Sequence, residues 1–115
     1  MSDKRDDLVY LGHMLDTAQK AMQFVSAKSH HDFAGDEVLR IALAHLLQTI
    51  GEAARRVSDD FQRAHSDIPW SQIIGMRHKV VHDYMVIDDD IVWATVTDYL
   101  PQLIASITIL LDNDQ

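Results

Sequence analysis

One stretch of this chain gathers groups that can move protons and hold anions: Gly75-Met76-Arg77-His78-Lys79-Val80-Val81-His82-Asp83-Tyr84. Arg77 carries a planar fork of donors that suits a phosphate. His82 can take or give a proton near neutral pH, and Tyr84 adds a hydroxyl two residues on. Together these are the parts needed to cleave an RNA phosphodiester without a metal. A base takes the 2′-hydroxyl proton, a cation stabilises the crowded phosphorane, and an acid protonates the leaving oxygen. Taken alone, a mixture of Arg, His and Lys along a helix is ordinarily solvated surface. Five helical residues turn through about 500°, which sets Arg77 and His82 roughly 140° apart on an ideal helix. Either the helix ends near His82, or the arginine reaches round, or two subunits complete one site. His78 and His82, four apart, would share a face, a spacing at which two imidazoles can clasp zinc or nickel. Lys79 stands where the familiar zinc helix has Glu, and no third ligand lies at an obvious spacing. No metal or other cofactor is expected.

Four amphipathic segments must position this stretch. Leu8, Leu11, Leu15, Ala18, Met22 and Val25 recur at steps of three and four, one stripe of a first helix that Ser2 or Asp3 would cap. A polar connection, Ser29 to Gly35, follows, with His30 and His31 facing water. The second helix starts near Asp36, whose charge suits the positive end of the dipole, and ends near Ser58-Asp59-Asp60. Its stripe is Leu39, Leu43, Leu46, Leu47, Ile50, Ala54 and Val57, widened by Ile41, Ala42 and Ala44. Such a helix sits centrally or touches a second partner. Proline is favoured at the first helical position, so the third helix is expected from Pro69 through Trp70, Ile73, Ile74 and Arg77 to Val81. Asp88-Asp89-Asp90 opens a fourth, in which Pro101 should produce a bend. Trp70 and Trp93 fall at apolar positions and read as packing. Gly51 interrupts a strong helix at a cost of roughly 1 kcal/mol against Ala, which points to close helix–helix approach. Glu52 reads either as a polar edge or as part of the cleft, and His45 as an interface or core-edge residue. The fold class is all-α, an antiparallel up-and-down four-helix bundle with short extra turns, in a single domain over 1–115.

Composition narrows the function. Ten Lys and Arg against eighteen Asp and Glu leave a net charge of −8. No overall basic field draws such a chain to DNA or an anionic membrane, so nucleic-acid contact needs a local patch. Without cysteine, thiolate nucleophiles, disulfides and Cys-ligated zinc are excluded. The charged N-terminus has no apolar region behind it, and the apolar stretches are broken short of the ~20 residues that span a bilayer. A cytoplasmic protein is expected.

Arg77-x4-His82-x-Tyr84 resembles the R-x4-H-x-Y motif of HepT-like toxins, a branch of the HEPN superfamily. Ile50-Gly51-Glu52-Ala53-Ala54 is similar to that family's second-helix signature, Ile68-Pro69-Trp70 with Ile74-Gly75-Met76-Arg77 to its approach to the site, and Tyr99-Leu100-Pro101 to its last helix. His78 departs from the Asn that many relatives place after the arginine; it could donate to the phosphate or act as a second acid. The resemblance implies a metal-independent endoribonuclease, the toxin of a type VII-like toxin–antitoxin pair. It also implies a homodimer with a composite cleft, in which Arg77 stabilises the scissile phosphate and His82 transfers protons, with His78, Tyr84 and Glu52 in support. The implied partner is an MNT-type nucleotidyltransferase antitoxin that adds AMP to Tyr84. A bulky anion there would block the cleft and repel RNA. The alternative is a non-enzymatic nucleotide-binding or regulatory subunit of a nucleotidyltransferase complex.

Overall fold

The computed structural model describes residues 4–79, 81–82 and 86–113, with side chains at 5–78 and 87–113. Among these, α1 (Lys4–Val25), α3 (Glu37–Arg56), α5 (Trp70–Lys79) and a long C-terminal helical run are the main elements of a helical bundle. The run comprises α6 (Asp89–Ala94), a π turn at Thr95–Tyr99 and α7 (Leu100–Asn113). Two short helices, α2 (His30–Ala34) and α4 (Asp59–Ala64), fill the connections before α3 and after it. The all-α bundle is thus as the periodicity indicates. The residues proposed to cap α1, Ser2 and Asp3, lie outside the described ones.

α3 is central, packed against α1 on one side and α5 on the other, while α1 also packs on α7. Leu11, Met14, Ala18, Leu43, Leu47, Ile50, Ile73, Val92, Val96, Leu100, Leu103 and Ile107 form the best-buried part of one contiguous core. Met14 and Ala21 join the α1 stripe, so the buried face is rotated slightly from the Leu8–Leu15 line. Capping fixes the helix starts. Asp36 accepts from the Leu39 amide, Ser58 from Phe61 and Asp88 from Ile91. Asp7 is 3% exposed and accepts from both the amide and the hydroxyl of Ser58, each at 2.8 Å. This buried carboxylate ties the first turn of α1 to the corner after α3.

Several expectations need correction. The Ser29–Gly35 connection contains α2, whose capping box pairs Ser29 and Asp32 and whose Phe33 is fully buried. His30 is exposed yet stacks on Trp93, with ring centroids 5.5 Å apart. Ser58-Asp59-Asp60 starts α4 rather than merely ending α3. Pro69 precedes α5 and acts as its cap, its carbonyl accepting the Ile73 amide, so the helix begins at Trp70. α5 ends at Lys79 instead of Val81. Val81 and His82 pair antiparallel with Ile87 and Val86, a ladder that β-branched residues favour.

Pro101 shows itself as a widened turn. It has no N–H for the carbonyl of Thr97 and its ring would crowd that group; the backbone opens into the π turn, with the Leu100 amide donating to Thr95. The continuous helix Asp89–Asn113 is, by length and composition, apolar enough to cross a membrane. Thr95, Thr97, Asp98 and Gln102 dilute its apolar run without ending it, and its buried stripe packs into the bundle.

Candidate functional site

The site is set by how closely α3 and α5 approach. Gly51 on α3 faces the backbone of α5, and a Cβ there would lie 2.9 Å from the Ile73 carbonyl oxygen and 3.3 Å from that of Ile74. It would also meet Cγ of Arg77 at 3.4 Å. Helix backbone cannot yield as a flexible side chain can, so the contact requires glycine. The next residue on α3, Glu52, then stands opposite the last turns of α5. Its Oε2 accepts from Nη1 of Arg77 at 2.7 Å, across 25 positions of sequence. Arg77 is 30% exposed, held at its stem by packing and at its head by this carboxylate.

Glu52 has further cationic neighbours. Arg55 donates to its Oε1 at 2.6 Å, and Nε of Arg56 lies 4.0 Å from the same oxygen. The Arg55 hydrogen bond, with the charges of Arg55 and Arg77, holds the Glu52 carboxyl below its ordinary value. The carboxylate therefore stays ionised at neutral pH. The stabilisation its pairing supplies is in place above the ordinary carboxyl range and is lost as pH falls through the depressed value. Three guanidinium groups around one carboxylate leave a local positive excess on a chain whose net charge is −8.

His78 is exposed beside Arg77, whose Nε points to its Nε2 at 3.4 Å, a long contact. His82 lies in the backbone ladder beyond the end of α5; its side chain, and all of Tyr84, fall outside the described residues. Because α5 stops at Lys79, His78 and His82 do not share a helical face. The helical four-residue spacing that suggested a clasp therefore does not apply, nor does the 140° separation of Arg77 and His82 on one ideal helix. Among the described residues no three His, Asp or Glu side chains converge as metal ligands would. The structure thus brings Glu52 and Arg77 together, with His78 at their margin. Arg55 and Arg56 complete the cluster; their spacing of three and four from Glu52 on one helix was the available signal.

The family described as "Ribonuclease HepT-like" matches residues 14–109. A candidate RNase of Caldanaerobacter subterraneus subsp. tengcongensis is 33% identical over 106 residues, covering 92% of this chain and 95% of its own. The "Probable ribonuclease HepT" of Thermococcus cleftensis is 32% identical over 100 residues, 87% of this chain and 91% of that one. A candidate RNase of Methanocaldococcus jannaschii is 29% identical over 100 residues, 87% and 92% of the two chains. No solved structure matches.

Two glycines that look alike in sequence should behave in opposite ways. Gly51→Ala gains about 1 kcal/mol of helix propensity but forces α3 and α5 apart, an overpacking cost of about 1–3 kcal/mol. Gly75, within α5, has nothing within 4 Å of an added Cβ. Thermal melts followed by circular dichroism should show Gly51→Ala with a lower Tm and Gly75→Ala with a Tm raised by a few degrees. Equal shifts in the same direction would contradict the close approach.

Proposed function

Since the chain belongs to the HepT-like ribonuclease family, we propose that it is a metal-independent endoribonuclease, the toxin of a type VII-like toxin–antitoxin pair. The observation that carries this reading is the Glu52–Arg77 pair, which presents a fixed guanidinium five residues before His82. Arg77 keeps donors beyond the one given to Glu52, and these meet the non-bridging oxygens of a scissile phosphate. As the 2′-oxygen of RNA attacks phosphorus, charge accumulates on those oxygens, and a cation held in advance stabilises it without reorganising. His82 takes the 2′-hydroxyl proton, and an acid returns a proton to the departing 5′-oxygen. The products are a 2′,3′-cyclic phosphate and a 5′-hydroxyl.

One imidazole cannot be base and acid at the same instant. Two copies of His82 in a homodimer meet both needs, with His78 as the other candidate acid. The end of α5 at Lys79 removes the angular mismatch that first suggested a composite site. The dimer rests instead on this two-group requirement, on the family resemblance and on exposed apolar residues such as Val38, Ile41 and Ile109. The partner is an MNT-type nucleotidyltransferase antitoxin. The phenolic oxygen of Tyr84 attacks the α-phosphorus of ATP, forms a tyrosyl-AMP ester and releases pyrophosphate. The added nucleotide fills the cleft and repels the phosphates of RNA.

With the purified protein and a single-stranded RNA, His82→Ala should slow cleavage by about 10²–10⁴-fold. Arg77→Ala should slow it by about 10²–10³-fold. EDTA should leave the wild-type rate unchanged, and the products should carry cyclic phosphate ends. Activity lost to EDTA and restored by zinc or manganese would reverse the metal assignment. RNA bound but uncut by the wild type would favour the non-enzymatic reading. Tyr84→Phe should cut RNA at nearly the wild-type rate yet accept no AMP from the antitoxin with ATP and magnesium, read by intact-mass spectrometry. A Tyr84→Phe protein dead toward RNA would make Tyr84 catalytic, and one still modified would move the acceptor elsewhere.

A further inference from the structure

Glu52 has two surroundings. On one side it holds Arg77; on the other it lines an open groove of about 410 Å³ between α1 and α3. Tyr10, His13, Asp16 and Thr17 form the α1 wall of that groove, and Thr49, Glu52, Ala53 and Arg56 the α3 wall. Its volume lies in the range of small-ligand sites. Tyr10 and His13, one turn apart, meet edge to face, with centroids 6.2 Å apart and planes at 76°. In that arrangement the faces of the edge-on ring are left uncovered by its partner. His13 and Arg56 are exposed, while Tyr10 is half-buried and packs its inner edge on the core. Arg56 therefore brings a cation from the α3 side, opposite an aromatic corner on the α1 side.

These are the two features that single-stranded nucleic acid uses: a base stacks on an aromatic or imidazole ring while a guanidinium meets the neighbouring phosphate. Neither the motif around Arg77 nor its chemistry requires this groove. We infer that the α1–α3 groove binds the nucleotide next to the scissile phosphate of a single-stranded RNA, its base against Tyr10 and His13 and its phosphate at Arg56. The inference rests on the ribonuclease reading above. Continuity with the cleavage site comes from the α3 residues themselves: Arg56 lies 4.0 Å from the carboxylate that holds Arg77 at 2.7 Å. A strand with one phosphate at Arg77 then runs along the exposed arginines rather than into the acidic remainder of the surface. Asp16, on the α1 wall, repels a phosphate placed on that side and leaves the Arg56 side as the backbone track.

The test uses the full-length protein and two variants outside the Glu52–Arg77 cluster, Tyr10→Ala and His13→Ala, with Arg56→Gln, inside that cluster, read only by its salt dependence. On a labelled single-stranded RNA of about a dozen nucleotides, each ring variant should raise KM by roughly 5- to 100-fold, with kcat within about twofold. Arg56→Gln should lower the slope of log K against log salt by about 0.7. On a dinucleotide that reaches Arg77 alone, both ring variants should match the wild type. If Tyr10→Ala unfolds, His13→Ala, an exposed substitution, decides the matter by itself. Unchanged KM on the long RNA in folded ring variants overturns the groove while leaving cleavage intact. If the wild type cuts no RNA, fluorescence anisotropy of the same RNA replaces KM, so that failure of the enzyme and failure of the groove remain separate results. AMP that binds as tightly as the RNA, and is lost in the same variants, would overturn the strand assignment in favour of a free nucleotide.

Discussion

Two helices of this protein lie so close that a single methyl group between them would sit 2.9 Å from a backbone oxygen. That proximity governs the geometry of the whole site. Glycine in a helix interior is unfavourable, so the chain gives up local stability at Gly51 in return for direct contact of α3 with α5. Once α5 rests on α3, the residue after the glycine and the last turn of α5 are neighbours, and a carboxylate meets a guanidinium at 2.7 Å. Held at its head by Glu52, Arg77 is positioned for the proposed role of a preorganised cation at the scissile phosphate.

Charge explains why the arrangement needs Glu52. Arg55, Arg56 and Arg77 converge on one edge of α3, and without a carboxylate among them the three would repel one another and splay into water. Glu52 holds them together while cancelling one charge of the three. The result is a small basic patch on a chain with a net charge of −8. Such a patch would give the proposed RNA substrate a local attraction on a surface that otherwise repels polyanions.

Much of this was legible in the residues. The three-four stripes on the long helices, slightly rotated on α1, and the helix starts near Asp36 and Asp88 follow from local spacing and charge, which the residues carry directly. Gly51 was readable as a close approach, since a glycine inside an otherwise strong helix has few other reasons to be there. The pairing of Glu52 with Arg77 was not readable: the two are 25 positions apart, and tertiary packing alone adds it to the Arg55 contact on the same helix. The same holds for Asp7 and Ser58, joined across 51 positions. The end of α5 was misjudged because Val80 and Val81 continue the apolar spacing of the helix, yet Val81 is taken up by a cross-strand pairing with Ile87. Phe33 was hidden in a polar connection, where one apolar residue shows no period.

The dependence of Arg77 on Glu52 is the central claim, and a double-mutant cycle on single-turnover RNA cleavage tests it most directly. Rates would be measured for wild type, Glu52→Gln, Arg77→Ala and the double variant, each shown to be folded. If Glu52 acts by holding Arg77, Glu52→Gln slows the wild type but costs nothing further once Arg77 is gone. Multiplying effects, with the double variant slower than Arg77→Ala by the full factor seen for Glu52→Gln alone, would mean that the two residues act independently and that the pair is not what builds the site.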